Sequence, residues 1–357
     1  MKNNIYPVGL ALLAAVLFGL NAPLSKILLG TTSPLFMVAF LYLGAGIGIA
    51  FMGLFAMGEK REAPLSKKEL PWSVMMILLD VLAPFLLMCG LRKTSAANAS
   101  LLFNFEMVAT SVIAVLFFRE AIGKRIWCAI GIITVASIIL SINFSDASTW
   151  NFSIGSILVL GACCCWGLEN NCTRKMSSKS PTQIVILKGF GSGGTAFVIA
   201  LISGDSIPEK YSVVFAALLL GFVAYGLSIY FYVKAQRFLG ASRTSAYYAA
   251  APFAGVMLST LILKEYPSCT FGIAFLLMVA GVILACFEKH NHLHRHGLLI
   301  HNHAHRHDDM HHEHSHTPPV KGWHSHEHVH EPCEHTHWHT PDIHHEHPHD
   351  PLSGDRR

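Results

Sequence analysis

Ten apolar stretches, each long enough to cross a bilayer, follow one another between residues 7 and 287. A bilayer core takes about 20 apolar residues per helix, and helices span it because they satisfy their own backbone N–H and C=O groups. The candidate spans run over 7–29, 33–57, 71–91, 96–118, 123–142, 153–173, 182–203, 212–233, 242–263 and 269–287. One such stretch is also what a buried helix of a soluble domain looks like. Ten in series exceed any soluble core. Charge content agrees: 13% of the 357 residues are Asp, Glu, Lys or Arg, against roughly a quarter in soluble domains. The expected fold class is an all-α polytopic membrane protein.

Histidine marks where this regime ends. All 23 histidines lie between His290 and His349. Residues 288–357 therefore read as a separate, disordered, His-rich tail of low complexity. A net charge of +4 with scattered basic residues gives no footprint for nucleic acid. Eight of the nine cysteines fall in the apolar part without CxxC spacing, which points to packing and not to a disulfide framework.

Orientation follows from the connections. With a cytosolic N-terminus, the inner loops hold Lys60, Arg61, Lys67, Lys68, Arg119, Lys124, Arg125, Arg174, Lys175, Lys179, Lys234, Arg237 and Arg243. The outer connections and their flanks hold Lys26, Arg92, Lys93, Lys210 and Lys264. Thirteen against five places both termini and the tail in the cytosol.

The spans also repeat. Phe18-Gly19-Leu20-Asn21 leading to Ser25-Lys26 returns 148 residues later as Trp166-Gly167-Leu168-Glu169 leading to Thr173-Arg174. Val115-Leu116-Phe117-Phe118-Arg119-Glu120 returns 145 residues later as Thr260-Leu261-Ile262-Leu263-Lys264-Glu265. The first stretch thus has a counterpart and belongs to the fold, unlike a cleaved leader. Two five-helix blocks result, residues 1–142 and 153–287. Five is odd, so the second block enters from the opposite face. Inverted repeats of this kind place a shared site near the midplane.

These motifs, with Ala250-Ala251-Pro252 ahead of Glu265, resemble the drug/metabolite transporter superfamily in its EamA-like branch. The resemblance covers roughly residues 7–287. It implies carriage of small polar metabolites, amino-acid-like or drug-like, through a central cavity. The first block has Glu106-Met107 where the second has Ala251-Pro252, and the second span reads Phe40-Leu41-Tyr42-Leu43-Gly44 where relatives often carry arginine.

Charges inside a span are costly and face a cavity or a partner. Asp80, Glu106, Glu169 and Lys188 are the expected members of a substrate or proton pathway, with Asn104, Asn170, Tyr225 and Tyr247 beside them. No histidine occurs in the spans, so a proton relay falls to the acids. Lys188 either neutralises an acid or meets a substrate carboxylate, and an internal ion pair that only fixes packing is the plainer alternative. Tyr230, Tyr248, Asn98 and Gln236 serve equally well as packing groups. Nothing in the spans pairs a nucleophile with a base, so no enzyme is expected.

In the tail, His290, His292, His294 and His296 alternate, as do His301, His303, His305 and His307, then His324, His326, His328 and His330. An extended chain sets every second residue on one side, so neighbouring imidazoles reach one ion. Imidazole suits Zn²⁺, Ni²⁺, Cu²⁺ and Co²⁺ alike. The expectation is a plasma-membrane secondary transporter of a small polar metabolite, proton-coupled, with no required cofactor and a tail that binds divalent metal. Its partners are the bilayer, the substrate and metal ions. The competing expectation is a carrier of the metal itself.

Overall fold

The computed structural model describes residues 5–55, 69–118, 123–143, 151–174, 176, 181–239, 244, 247–265, 268–286, 290–296, 299–305, 324–330 and 333–339. The first span is two helices, α1 (Ile5–Gly19) and α2 (Asn21–Leu28). Pro23 explains the break, since a proline ring clashes with the carbonyl four residues back, that of Gly19. Next come α3 (Pro34–Phe55) and α4 (Leu70–Leu91), each continuous. The fourth span divides at Phe103–Asn104 into α5 (Ala96–Leu102) and α6 (Phe105–Phe118). The first block closes with α7 (Lys124–Ser141). A short antiparallel pair, β1 (Ile142–Asn143) with β2 (Asn151–Phe152), ties the link between blocks.

The second block runs α8 (Ile154–Arg174), α9 (Pro181–Ile202), α10 (Tyr211–Gly221), a π-helical turn (Phe222–Leu227), α11 (Ser228–Leu239), α12 (Ala251–Leu263) and α13 (Cys269–Cys286). Among the described residues, eight spans are long and apolar enough to cross a membrane. Two of the ten expected segments fall outside that set for readable reasons. α12 has 13 helical residues behind Pro252, and α8 carries Glu169, Asn170 and Asn171 on an otherwise apolar helix.

The halves interlock by exchange. α4 packs on α8 as α11 packs on α1, and α6 lies on α8 as α12 lies on α1. α3 meets α9 and α7 meets α13, each helix facing its own counterpart. Glycine marks the closest approaches. A Cβ at Gly19 would come within 2.8 Å of the Gly255 nitrogen, and one at Gly167 within 2.7 Å of the Thr110 nitrogen. These two contacts occupy matching places in the two blocks, so the repeat read from sequence is also a repeat of packing.

The core gathers Phe36, Leu41, Leu87, Met88, Leu101 and Ile133 around the block interface. Leu12, Ile47, Phe51, Leu78, Phe117 and Leu276 point outward and exposed, which suits contact with acyl chains.

Where the sequence predicts a tail without fixed structure, four seven-residue segments pair as antiparallel strands: β3 (His290–His296) with β6 (Cys333–His339), and β4 (Leu299–His305) with β5 (His324–His330). The register sets His292 opposite His337 and His303 opposite His326, so the period-two spacing of histidine coincides with the period of a strand. His307 lies outside the described residues, as do the loop charges Lys60, Arg61, Lys67, Lys68, Arg119, Glu120, Lys175, Lys179 and Arg243.

Candidate functional site

Asp80 sits ten residues after Leu70 in α4, about 15 Å along the axis at ~1.5 Å per residue. That is mid-depth in a span. Lys188 of α9 reaches it from the second block, with Nζ 3.4 Å from Asp80 Oδ2 and 2.6 Å from Glu169 Oε1 of α8. Side-chain exposure is 16% for Lys188, 2% for Asp80 and 4% for Glu169, so the triad is screened from solvent. Tyr42 of α3 donates its hydroxyl to Asp80 Oδ1 at 2.9 Å, and Thr173 donates to the same Glu169 oxygen that Lys188 holds. Asp80 Oδ2 has no hydrogen bond beyond its ion-pair contact.

Glu106 opens α6, just past the break at Asn104. Asn170 Nδ2 donates to its Oε1 at 2.7 Å and to Thr110 Oγ1 at 3.3 Å. Asn171 points elsewhere, donating to the Thr110 and Gly167 carbonyls and so pinning α8 to α6. Asn170 directly follows Glu169 on α8, so the amide that holds Glu106 stands beside the acid that holds Lys188.

A polar aromatic group completes the centre. Asn21, at the repeat position matching Glu169, donates Nδ2 to Tyr225 Oη at 3.1 Å and accepts from Ser25 Oγ at 3.0 Å. Tyr225 lies on the π-helical turn, a distortion that often marks functional positions. Its ring is 5.4 Å from Tyr42 and 6.0 Å from Phe18. Phe18 in turn is 6.0 Å from Tyr248 and 6.1 Å from Phe103, which meets Trp166 edge-on at 5.9 Å.

Of the residues singled out from sequence, Asp80, Glu106, Glu169, Asn170, Lys188 and Tyr225 converge here. Among the described residues, Asn104 makes no hydrogen bond to them. It donates Nδ2 to the Leu101 carbonyl at 3.0 Å and caps the end of α5. Tyr247 is 37% exposed, whereas its neighbour Tyr248 is tied to Ser228 at 3.2 Å and to the Phe18 and Tyr232 rings. Asn98 staples Thr94, the Leu140 carbonyl and Ser156. The side chain of Gln236 lies outside the described residues. Sequence reasoning passed over Tyr42, Asn21 and Phe18 as site residues. A hydroxyl in the middle of an apolar helix flags Tyr42, while Asn21 and Phe18 stand in the repeated motif itself.

A second ionic cluster lies where α5 begins. Glu265 accepts from the Ala96 and Ala97 N–H groups at 3.1 and 2.9 Å and pairs with Lys26 Nζ at 3.2 Å, while Lys26 also donates to the Thr94 carbonyl. Arg92 donates to the Thr32 carbonyl at 2.9 Å beside it.

Comparison with known proteins gives a consistent picture. The model of the EamA-like transporter family matches twice, over residues 5–142 and 153–287. An uncharacterized transporter of Methanothermobacter thermautotrophicus is 28% identical over 288 residues, covering 76% of this chain and 83% of that one. An uncharacterized transporter of Synechocystis is 31% identical over 121 residues, 33% of this chain and 36% of its own. A solved crystal structure of another protein superposes with a TM-score of 0.57 at 16% identity, covering 78% of this chain and 96% of that one. It is similar in fold alone.

Proposed function

The chain belongs to the EamA-like transporter family, and from that premise we propose that it is a proton-coupled secondary carrier of a small polar metabolite in the plasma membrane, with both termini in the cytosol. One observation carries the reading: three carboxyl groups and one lysine, contributed by both blocks, meet at mid-depth where an isolated charge is costly. Packing alone does not call for this. A buried ion pair is weak support for stability, since apolar residues of the same volume serve as well or better. A carboxyl group can take up and release a proton, which is what coupling requires. α8 and α12 border the cluster or its aromatic rim, and they are the two spans whose composition or length departs most from a plain lipid-facing helix.

The test is a screen of polar metabolites, metals included, in proteoliposomes of the purified chain under an imposed pH gradient. Glu106→Gln is expected to uncouple flux from the gradient. Gradient-driven flux at wild-type rate in both Glu106→Gln and Glu169→Gln would reduce these acids to packing groups.

We further propose that the tail binds a divalent transition ion. Support comes from the alternating histidines and from a register that sets histidine opposite histidine along both strand pairs. Imidazole donors of this density suit Zn²⁺, Ni²⁺, Cu²⁺ or Co²⁺. Titrating the full chain and a chain lacking residues 290–357 with Zn²⁺ should give heat only in the former. Metabolite flux should survive the deletion if the tail is accessory, and loss of flux would contradict that.

A further inference from the structure

Lys188 is already engaged. Its ammonium lies within ion-pair distance of two carboxylates, Glu169 at 2.6 Å and Asp80 at 3.4 Å, on a side chain only 16% exposed. An incoming carboxylate would have to displace both. Glu106 is in the reverse position: among the described residues its one hydrogen-bond donor is the neutral Asn170 amide, and no cation is within ion-pair distance. With all acids ionised, the cluster of Asp80, Glu106, Glu169 and Lys188 carries three negative charges and one positive. Its deficit is of positive charge.

A second feature, independent of the acids, points the same way. Phe18, Tyr225 and Tyr248 are linked ring to ring at 6.0 Å in each case, and Phe18 also meets Phe103, three residues before Glu106, at 6.1 Å. Phe103 and Trp166 extend the aromatic surface. Electron-rich ring faces beside an unpaired carboxylate are the combination that recognises an organic ammonium, through cation–π attraction and ion pairing together. The hydroxyls of Tyr225 and Tyr248 are occupied by Asn21 and Ser228, so what these residues still offer a ligand is their rings.

Resting on the carrier reading above, we propose that the transported substrate is an organic cation, an amine or quaternary ammonium with an apolar or aromatic body, and that Glu106 is the residue that selects its charge. Lys188 holds Asp80 and Glu169 in place and does not contact cargo.

The experiment uses the full chain in proteoliposomes at neutral pH with three ring-matched probes: phenyltrimethylammonium, phenylalanine and phenylpropionate. The cation should enter faster than the anion by about tenfold or more, the range expected when one member of a buried charge pair is lost. Glu106→Gln should raise KM for phenyltrimethylammonium by a similar factor while the protein keeps its thermal midpoint. Glu106→Asp should recover part of the loss. Entry of phenylpropionate or phenylalanine in preference to the cation would overturn the charge assignment and leave the carrier intact. So would an unchanged KM in Glu106→Gln. Failure of all three probes, with other polar metabolites still moving, would overturn the assignment as well. No flux of any compound would remove the carrier reading and this one with it.

Discussion

Lys188 cannot be replaced alone without leaving two buried carboxylates facing each other. Breaking a buried ion pair by removing one partner costs about 3–5 kcal/mol, because the remaining charge has no compensation. Lys188→Met should therefore lower the thermal midpoint in detergent sharply. Adding Glu169→Gln to Lys188→Met removes one of the stranded charges and should recover a substantial part of the loss, even though it is a second change to the site. A double variant less stable than Lys188→Met would show that the triad is not one electrostatic unit. The members of this triad were visible in the sequence, because a charge inside an apolar run announces itself by its cost. Their pairing was not visible. Which acid meets Lys188 depends on how α9 lies against α4 and α8, a tertiary relation that no local pattern encodes. Tyr42 shows the same limit: a tyrosine in a span is as often an anchor as a ligand, and only its hydrogen bond to Asp80 separates the two. Asn104 shows the opposite error of emphasis, being placed among the acids by its neighbour Glu106 yet spending its amide on the end of α5.

Helix ends carry the next level of organisation. α5 begins a span, and its first N–H groups have no partner within the helix. Ser95 accepts from the Asn98 N–H at 3.0 Å, and the Glu265 carboxylate takes those of Ala96 and Ala97. A residue from the second block thus caps a helix of the first. Glu265→Ala removes two charge-assisted hydrogen bonds and the Lys26 ion pair at once. A net loss of about 2 kcal/mol follows, since the group is partly exposed and each such bond contributes on the order of 1.5–3 kcal/mol when buried. Thermal unfolding in detergent measures it, and a change indistinguishable from zero would show that water already serves those N–H groups. The sequence places Glu265 at the end of a span and in the repeat. It does not reveal that the residue caps another helix. Boundaries of continuous spans such as α3, α4 and α9 were legible to within a few residues because hydropathy changes abruptly there. The breaks were legible only where proline causes them. Pro23 accounts for the α1–α2 break, whereas the division at Phe103–Asn104 occurs in the block that lacks the proline of Ala251-Pro252.

At the scale of the whole chain, the contacts and the span count constrain each other. α1 lies on α12 through Gly19 and Gly255, and α8 lies on α6 through Gly167 and Thr110. This reciprocal packing is that of two blocks related by a two-fold axis, and with five spans in each block that axis lies in the plane of the membrane. Such an axis holds only if each block contains an odd number of spans. The link after α7, closed by the β1–β2 pair, must then lie on the face opposite the N-terminus. In the orientation proposed above from the basic excess of the loops, the N-terminus and the tail are inside and the link is outside. In a cysteine-free background, Ala147→Cys in this link should react with an impermeant maleimide added to intact cells. A cysteine restored at Cys333 in the tail should react only after the membrane is opened. Labelling of both positions under the same condition would put the link and the tail on one side, make the number of spans per block even, and leave Asp80, Glu106, Glu169 and Lys188 without a common midplane.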